Sequence, residues 1–465
     1  MRRPQWLQDR SLVTAVLVGA ALRILPLVIW RDWGCARDEC TYLRIARKMA
    51  NGEGMVPSAG WLWAPGYPAI MAVHKTLFGH GATIKGLQIF AAALCTLLVY
   101  RLTQRVWTHR GPDGADKAAR AAAWLYALSP PLIFFSISLW SEVLYGTLLL
   151  CLLLVLDKAR QAVRDAGTRW IKGAVAVGVM GGCCVLFRGV ATYMLPIFCL
   201  ALLWRRWRSG RAWTQVALVV TAAMLTVGPY SAYISEKMDT FIVSDRTMGQ
   251  MMWLGNNDFP PITFDYGNGQ LSSRAFKRYA RQGRKRCADR RKPMKRDACE
   301  TAAGFQWIQD HPAEFVQRMP MRVAQMVTPH SLLTRHLRWG KWRKMPQAMD
   351  EAIVLWGALW SMFVMLGGTL ALVARGRGGH GVVTGAILLY HVAAVAALAG
   401  LSRYRVPLEP LLMVYAAGLW TDGAGVWRGM VEDRKRFWLA ILVLGWLIPL
   451  VLWYLPAGWS WWRSW

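Results

Sequence analysis

The stretch Ala36-Arg-Asp-Glu-Cys-Thr-Tyr-Leu-Arg-Ile-Ala46 follows shortly after the first long apolar segment of the chain. It places two carboxylates, Asp38 and Glu39, side by side where the chain is expected to leave a membrane. Residues at three- and four-residue spacing share one face of a helix. Four residues have this spacing and predict a surface helix: Asp38, Tyr42, Ile45 and Met49. Two carboxylates at the mouth of a membrane span are well placed for chemistry on a lipid-borne substrate.

The composition identifies an integral membrane protein. Of the 465 residues, 55% are hydrophobic and 27 are tryptophan, and the mean hydropathy is +0.25. Such a chain is too apolar and too aromatic for an ordinary soluble domain. A span needs roughly 20 apolar residues to cross about 30 Å of hydrocarbon. We predict about eleven spans, near residues 11–30, 84–106, 119–136, 139–156, 171–187, 189–204, 213–233, 352–374, 381–401, 404–421 and 437–455.

Charge in the short loops predicts the orientation. The first segment follows Arg2 and Arg3, as a signal peptide would, but it is long and lacks a small-x-small cleavage site, so we interpret it as a retained anchor. Lys and Arg are retained on the cytoplasmic side. Basic clusters then lie inside at 157–172, 205–208, 375–377 and 432–436. This predicts a multi-pass protein of the cytoplasmic (inner) membrane, with its amino terminus in the cytoplasm and Asp38 on the extracytoplasmic side.

Two long loops outside the membrane carry most of the remaining sequence, at 31–83 and 234–350. The first should form juxtamembrane helices that carry the catalytic motif. The second should form a small mixed cap, because 240–244 has strand character and 306–330 has helical periodicity. No internal repeat is visible. We therefore expect residues 1–465 to form a single membrane domain.

The formal net charge of +30 suggests nucleic acid at first sight. A membrane location weakens that inference, because much of the excess lies in loops that would face anionic lipid. We therefore expect membrane lipids and no nucleic acid as partners. Residues 274–296 hold twelve Lys or Arg and one acid in the second outside loop. This run is either a solvated basic face or a contact for an anionic partner such as lipid phosphate or an acidic glycan.

Cysteine placement agrees with this topology. Five of the nine cysteines lie in predicted spans, where a thiol behaves as a small hydrophobe. The other four lie in the outside loops: Cys35, Cys40, Cys287 and Cys299. An even number in an oxidising compartment permits two disulfides. Pairing within each loop needs the least chain closure, and four unpaired thiols are the alternative.

The motif Asp38-Glu39-x-x-Tyr42-x-x-x-Ala46, a glycine-containing break, and Pro65-Gly-Tyr-Pro68 resemble polytopic glycosyltransferases of the C-type fold (GT-C). Within that class they resemble the family of bacterial protein O-mannosyltransferases, the aminoarabinose transferase of lipid A and lipopolysaccharide-core transferases. Later landmarks follow in the same order: Ser141-Glu142, Phe187-Arg188-Gly189, Leu254-Gly-Asn-Asn257 and Arg403-Tyr-Arg-Val-Pro407. The resemblance runs from residue 31 to about 415. It implies an all-α polytopic enzyme that moves a sugar from a polyprenyl-phosphate carrier to a hydroxyl of a lipid, glycan or protein, with inversion.

The residues fit that chemistry. An acceptor hydroxyl is a poor nucleophile and needs a base, for which Asp38 is the candidate, with Glu39 as its orienting or metal-binding neighbour. The leaving phosphate needs fixed cations or a metal. The remaining candidates are Arg188, Arg403 and Arg405 for the phosphate, Glu142 as a second carboxylate, and Tyr42 and Tyr67 as substrate-lining residues.

The sequence departs from the family where some relatives carry a phosphate-contacting lysine, since Trp63-Ala64-Pro65 stands there. Donor binding would then depend on the arginines. No His, Cys and carboxylate cluster has firm metal-ligand spacing. A divalent cation between Asp38 or Glu39 and the donor phosphate is the open alternative.

Structural roles are the alternatives for each residue. Asp38 and Glu39 would also suit a helix start, and Glu142 a helix cap. Arg188 could extend its guanidinium to the interface, and Arg403 and Arg405 could pair with Glu409. For the whole protein, the alternatives are a lipid-linked sugar transporter or flippase and a surface-polysaccharide ligase. Transporters often show paired halves, which this chain lacks, and a ligase would not need the early Asp-Glu pair.

Overall fold

The computed structural model describes residues 8–30, 35, 38–57, 62–163, 167–258, 287, 293–330, 332–338, 346–376 and 379–453. Within these ranges the chain is helical and contains no β-strand. The helices are α1 (Arg10–Trp30), α2 (Asp38–Ala50), α3 (Gly66–Phe78), α4 (Ile84–Val106), α5 (Gly111–Ala127), α6 (Pro130–Ile137), α7 (Glu142–Ala162), α8 (Arg169–Phe187), α9 (Leu195–Leu203), α10 (Gly210–Met238), α11 (Met248–Gly255), α12 (Pro293–Asp310), α13 (Pro312–Val327), α14 (Leu332–Arg338), α15 (Gln347–Met362), α16 (Gly368–Arg375), α17 (Gly379–Ala397), α18 (Glu409–Thr421), α19 (Gly423–Val431) and α20 (Arg434–Trp453).

The apolar helices show a multi-pass membrane protein. Seven helical segments in the described ranges are long and apolar enough to cross a membrane: Arg10–Ile29, Gly81–Val106, Arg169–Phe187, Gly210–Met238, Gln347–Arg375, Gly379–Ala397 and Arg434–Trp453. An eighth span results if the bent pair Thr108–Ala127 and Pro130–Ile137 counts as one. The all-helical membrane architecture is confirmed, whereas the count of eleven is not.

Three of the predicted spans differ from simple crossing helices. The 404–421 segment forms α18, whose 13 residues extend only about 20 Å at 1.5 Å per residue. The 189–204 segment divides into a six-residue 3₁₀ turn and the nine-residue α9. The 139–156 segment forms α7, which has 21 residues but carries Glu142 in its first turn and Asp157 and Lys158 near its other end.

The 119–136 segment is bent by 53° between α5 and α6. Pro130 and Pro131 begin α6, and proline lacks the N–H that would continue the helix from α5. The buried Arg23 of α1 binds this break: its Nη1 donates to the Ala127 carbonyl at 3.0 Å and its Nε donates to Ser136 Oγ at 3.1 Å. The break directs the chain toward the turn that precedes α7.

The two long loops that were predicted to lie outside the membrane contact each other at one apolar cluster. Ile45, Met55, Leu62, Ile234 and Ile242 are buried together there. The predicted strand at 240–244 is wrong. The Arg246 N–H donates to the Leu62 carbonyl in an isolated bridge, and the Ile242 N–H donates to Ser235 Oγ at 2.9 Å, so this segment forms no ladder.

The described part of the second loop is helical and contains no strand. The sequence predicted a small mixed cap here, and this prediction is wrong for the described residues. The periodicity at 306–330 corresponds to the end of α12 and to α13, and Pro312 begins α13 after a break at His311. Most of the basic run at 274–296 lies outside the described residues.

Candidate active site

Asp38 and Glu39 begin α2 and point in different directions. The Asp38 side chain is 38% exposed, and its Oδ2 accepts a hydrogen bond from Arg403 Nη1 at 2.8 Å. Glu39 is fully buried, and its Oε1 accepts from the Leu139 N–H at 2.8 Å. Asp38 is therefore accessible to a substrate. Glu39 instead fixes the start of α2 to the turn between α6 and α7.

Arg403 connects Asp38 to Glu142. It lies in the 3₁₀ turn Ser402–Arg405, and its Nε is 3.3 Å from Glu142 Oε1. The guanidinium also lies over the Trp140 ring, 4.5 Å from its centroid. A cation over an indole face is stabilised by the ring quadrupole, more so when water is excluded. Trp140 therefore helps to hold Arg403 between the two carboxylates.

Glu142 is the buried centre of the cluster. It begins α7, and its Oε1 is 3.1 Å from Arg188 Nη1 as well as 3.3 Å from Arg403 Nε. Neither of its oxygens accepts a hydrogen bond of good geometry from the described part of the chain. A buried carboxylate is stable only beside compensating charge. Two arginines from distant parts of the sequence supply it here.

Arg188 reaches Glu142 because α8 ends directly before it. Its backbone is extended, with φ −152° and ψ 121°, and a 3₁₀ turn begins at Gly189. The break predicted between the fifth and sixth spans is therefore observed. The guanidinium is 15% exposed, so it lies at the edge of the cluster and not deep in the bundle.

Aromatic side chains form one wall of the site. The Tyr42 ring packs edge-on against Trp63 and Tyr67, with centroid distances of 5.1 and 5.0 Å. Burial raises the pKa of Tyr42 to about 12, so its hydroxyl stays protonated. Tyr67 is fully buried and its hydroxyl donates to Gln88 at 2.6 Å. Tyr42 adjoins the charged cluster, and Tyr67 packs against the Tyr42 ring and supports its position.

Arg405 does not belong to this cluster. Its Nε donates to Glu409 at 2.8 Å and its Nη2 donates to Ser361 Oγ at 3.2 Å and the Pro329 carbonyl at 3.4 Å. Its Nη1 donates to the carbonyls of Met326 and Thr328. With every donor nitrogen used, Arg405 joins the end of α13 to α15 and α18. From the sequence we expected Arg405 to bind the donor phosphate. In the structure Arg405 instead pairs with Glu409, which was the structural alternative.

Asp245 is a site-adjacent residue that the sequence interpretation missed. It accepts hydrogen bonds from the Gly189 N–H and from Thr247 Oγ1, and a Cβ on Gly189 would lie 2.1 Å from its Oδ1. Burial raises its pKa to about 6, with Asp297 adding to the rise and Arg188 opposing it. Asp245 therefore holds the turn that presents Arg188. A lone aspartate in a polar loop has no diagnostic spacing, so the sequence does not single out Asp245. The one feature of the sequence that relates to this contact is Gly189, whose missing side chain leaves space for the Asp245 carboxylate.

Disulfides join Cys35 to Cys40 and Cys287 to Cys299, with Cα atoms 5.0 and 6.0 Å apart. Asp38 and Glu39 lie between Cys35 and Cys40, which are five residues apart, so the first disulfide restrains the start of α2. The second attaches Cys287 to α12.

The described residues provide no set of protein ligands that fits a metal. No group of three His, Cys, Asp or Glu side chains with suitable geometry occurs among the described residues. Of the two carboxylates proposed as ligands, Asp38 contacts Arg403 and Glu39 is buried against the Leu139 backbone.

Comparisons with known proteins identify the fold. No protein-family model and no curated protein matches the chain. The oligosaccharyltransferase AglB from Archaeoglobus fulgidus, solved with an inhibitory peptide and a dolichol-phosphate, superimposes with a TM-score of 0.51 and 18% identity over 98% of this chain. Its apo form gives a TM-score of 0.52 and 14% identity over the same share. ArnT from Cupriavidus metallidurans, bound to undecaprenyl phosphate, gives 0.41 and 15% over 89% of this chain and 77% of its own.

The chain spans 56–57% of the length of the archaeal enzyme. The superposition extends over nearly all of this chain, so it concerns the membrane bundle as a whole. The protein therefore has the C-type glycosyltransferase fold that its sequence motifs indicate.

Proposed function

We propose that the protein is an inverting glycosyltransferase. It would move a sugar from a polyprenyl-phosphate carrier to a hydroxyl of a lipid, glycan or protein, at the extracytoplasmic face of the cytoplasmic membrane. One observation carries this proposal: the exposed carboxylate of Asp38 lies beside Arg403, which is paired with the buried Glu142. A base and fixed cations thus meet at one end of a membrane bundle.

Asp38 would act on the acceptor. Its Oδ2 is held by Arg403, and its Oδ1 makes no hydrogen bond with the rest of the described chain. The free oxygen would accept the proton of the acceptor hydroxyl as that oxygen attacks the anomeric carbon. The bond from the anomeric carbon to the phosphate oxygen breaks on the opposite face, and its electron pair leaves with the phosphate. One displacement of this kind inverts the anomeric configuration.

Arg403 and Arg188 would stabilise the leaving phosphate. Bond cleavage converts a phosphodiester to a monoester and adds negative charge, which preorganised cations stabilise most in a site that excludes water. Arg403 Nη2 makes no hydrogen bond within the described ranges, so it remains available for a phosphate oxygen. Arg188 forms an ion pair with Glu142, lies over the Tyr145 ring and is partly exposed. Glu142 would orient both guanidinium groups.

The fold supports a lipid-linked donor. The archaeal oligosaccharyltransferase that shares it was solved with a dolichol-phosphate. The departure at Trp63-Ala64-Pro65 places more of the expected phosphate binding on the two arginines.

Reconstitution tests this function against the alternative classes. Purified protein in proteoliposomes would be incubated with a labelled polyprenyl-phosphate sugar and extracted lipid and glycan acceptors. We expect release of polyprenyl phosphate and a labelled product of inverted anomeric configuration. Movement of intact donor across the bilayer without cleavage would instead identify a transporter and contradict the proposal. Retention of anomeric configuration would contradict the single displacement at Asp38.

A further inference from the structure

The short helix α11 contacts the segment that carries Arg403. A Cβ on Gly255, the last residue of α11, would lie 1.6 Å from the carbonyl oxygen of Leu398, in the loop between α17 and the 3₁₀ turn of Arg403. Only a glycine allows two backbones to approach so closely. Within that turn, the Tyr404 hydroxyl donates to Met251 Sδ of α11 at 3.2 Å. The helix therefore contacts both the loop before Arg403 and the residue after it.

Asn256, the residue that follows α11, joins three helices. It is fully buried, and its Nδ2 donates to the Met252 carbonyl within α11 at 2.9 Å and to the Ala397 carbonyl at the end of α17 at 3.1 Å. Its Oδ1 accepts from Nη2 of Arg322, a residue of α13, at 2.9 Å. One side-chain amide thus connects α11 to the end of α17 and to α13.

Arg322 completes this connection. Its Nη1 donates to the carbonyls of Ala396 and Ala397 at 2.7 and 3.3 Å, and its Nη2 donates to the Gly255 carbonyl at 2.8 Å. The last carbonyls of a helix have no partner within the helix and carry partial negative charge, so a cation is favourable there. Arg322 therefore fixes the end of α17, from which the chain continues to the turn of Arg403.

The residues before α11 hold the other arginine of the site. Asp245 lies three residues before α11 and accepts from the N–H of Gly189, the first residue of the 3₁₀ turn that follows Arg188. The carboxylate occupies the space that a side chain at Gly189 would need. One short segment, 245–256, is thus in contact with the turns of both arginines.

This segment is itself held by α12. The Gly249 N–H donates to Asp297 Oδ1 at 2.9 Å, and a Cβ on Gly249 would lie 2.2 Å from the Asp297 carbonyl oxygen. A Cβ on Gly304 would lie 2.5 Å from Met252 Cγ. The backbones of α11 and α12 are therefore in close contact at two places, which gives α11 a firm support.

We propose that Asn256 and Arg322 are positioning residues for Arg403, and that segment 245–256 fixes the spacing of the two arginines that would bind the donor phosphate. They act through the backbone, because their contacts are to carbonyls of α11 and α17. Preorganised cations stabilise charge best when they are already in place, and a displacement of about 1 Å can cost about 100-fold in rate. This inference rests on the proposed function.

Binding of a lipid phosphate tests the positioning. The purified full chain in detergent would be titrated with undecaprenyl phosphate and, separately, with undecaprenol, and the ratio of the two dissociation constants gives the preference for phosphate. Asn256→Ala should lower this preference about tenfold, the size of one charge-assisted hydrogen bond. Asn257→Ala is the matched control, because that amide donates to the Trp253 and Leu254 carbonyls of α11, and it should keep the wild-type preference. A wild-type preference in Asn256→Ala would overturn the proposal.

A double-mutant cycle separates positioning from a general loss of stability. If Asn256 acts through Arg403, then Asn256→Ala should lower the preference no further when Arg403→Gln is already present. Additive losses would show that Asn256 acts elsewhere and would overturn the proposal. Arg322→Lys serves if Asn256→Ala does not fold. Lysine keeps the charge but lacks the planar fork that joins Ala396 to Gly255, so it should show the same lack of additivity.

Hydrogen exchange distinguishes a failure of this inference from a failure of the proposed function. The amides of residues 398–406 should exchange faster in Asn256→Ala than in the wild type, whereas those of residues 38–50 should not change. Unchanged exchange at 398–406 would overturn the positioning role even if the enzyme transfers sugar. A wild type that binds both lipids equally would contradict the proposed donor, and the exchange rates would still decide whether Asn256 positions the turn of Arg403.

Discussion

Arg403 and Arg405 lie two residues apart in one 3₁₀ turn, and each pairs with a buried carboxylate. Their surroundings differ. Arg405 uses all three of its nitrogens in hydrogen bonds to five groups. Among the described residues, Arg403 makes one hydrogen bond, to the exposed Asp38, and its Nη2 makes none. A saturated buried arginine stabilises a fold, and an unsaturated one beside an exposed carboxylate can bind a substrate. Hydrogen-bond saturation therefore separates the structural arginine, Arg405, from Arg403, the one proposed to bind the donor phosphate.

The largest expected effect of this difference is on stability. Arg405→Gln leaves Glu409 buried without its cation and removes the hydrogen bonds to the Met326 and Thr328 carbonyls. Breaking a buried pair in this way costs about 3–5 kcal/mol of unfolding free energy. We expect a strongly lowered midpoint of unfolding for Arg405→Gln, measured in detergent. An unchanged midpoint would show that the contacts of Arg405 are not structural.

Arg403→Gln should have the opposite signature. Loss of one preorganised donor for the leaving phosphate typically lowers kcat by about 10²- to 10³-fold. Arg188 remains beside Glu142, so the buried carboxylate keeps one cation. We expect transfer to be lost with a smaller change in unfolding midpoint than in Arg405→Gln. Equal losses of stability in the two variants would break the distinction between the two arginines.

The smallest effect concerns Asp245 and depends on pH. Its pKa is raised from an ordinary value of 3.8 to about 6 in the folded protein. Between these values the folded chain holds a proton that the unfolded chain has lost, so the contribution of Asp245 to stability falls as pH rises through this window. Asp245→Asn cannot ionise and should flatten the change in unfolding midpoint between pH 4 and 6. A wild-type slope in the variant would show that another group titrates there.

Sequence patterns predicted the features that depend on neighbours along the chain. The apolar segments, the break before Gly189 and the shared face of Asp38 and Tyr42 follow from local periodicity and from helix-ending residues. The C-type fold followed from the order of short motifs, none of them specific alone.

Features that depend on distant neighbours could not be predicted in this way. Nothing in Arg403-Tyr-Arg405 shows that the second guanidinium turns toward the Thr328 carbonyl and the first toward Asp38. The strand expected at 240–244 did not form because Ile242 packs against Ile234 of α10 and its N–H donates to Ser235 Oγ, and the segment does not pair with a second strand. Tyr67 was assigned to substrate, but its hydroxyl is used by Gln88.

The most direct test of the account is the transfer rate of Asp38→Asn beside that of Asp239→Asn. Both changes replace a carboxylate by an amide, and Asp239 is an exposed residue after α10 with a positive φ of 52°, which asparagine tolerates. Loss of a general base costs about 10²- to 10⁴-fold in rate. We predict a loss of this size in Asp38→Asn with an unchanged unfolding midpoint, and wild-type transfer in Asp239→Asn. Wild-type transfer by Asp38→Asn would contradict the assignment of Asp38 as the base.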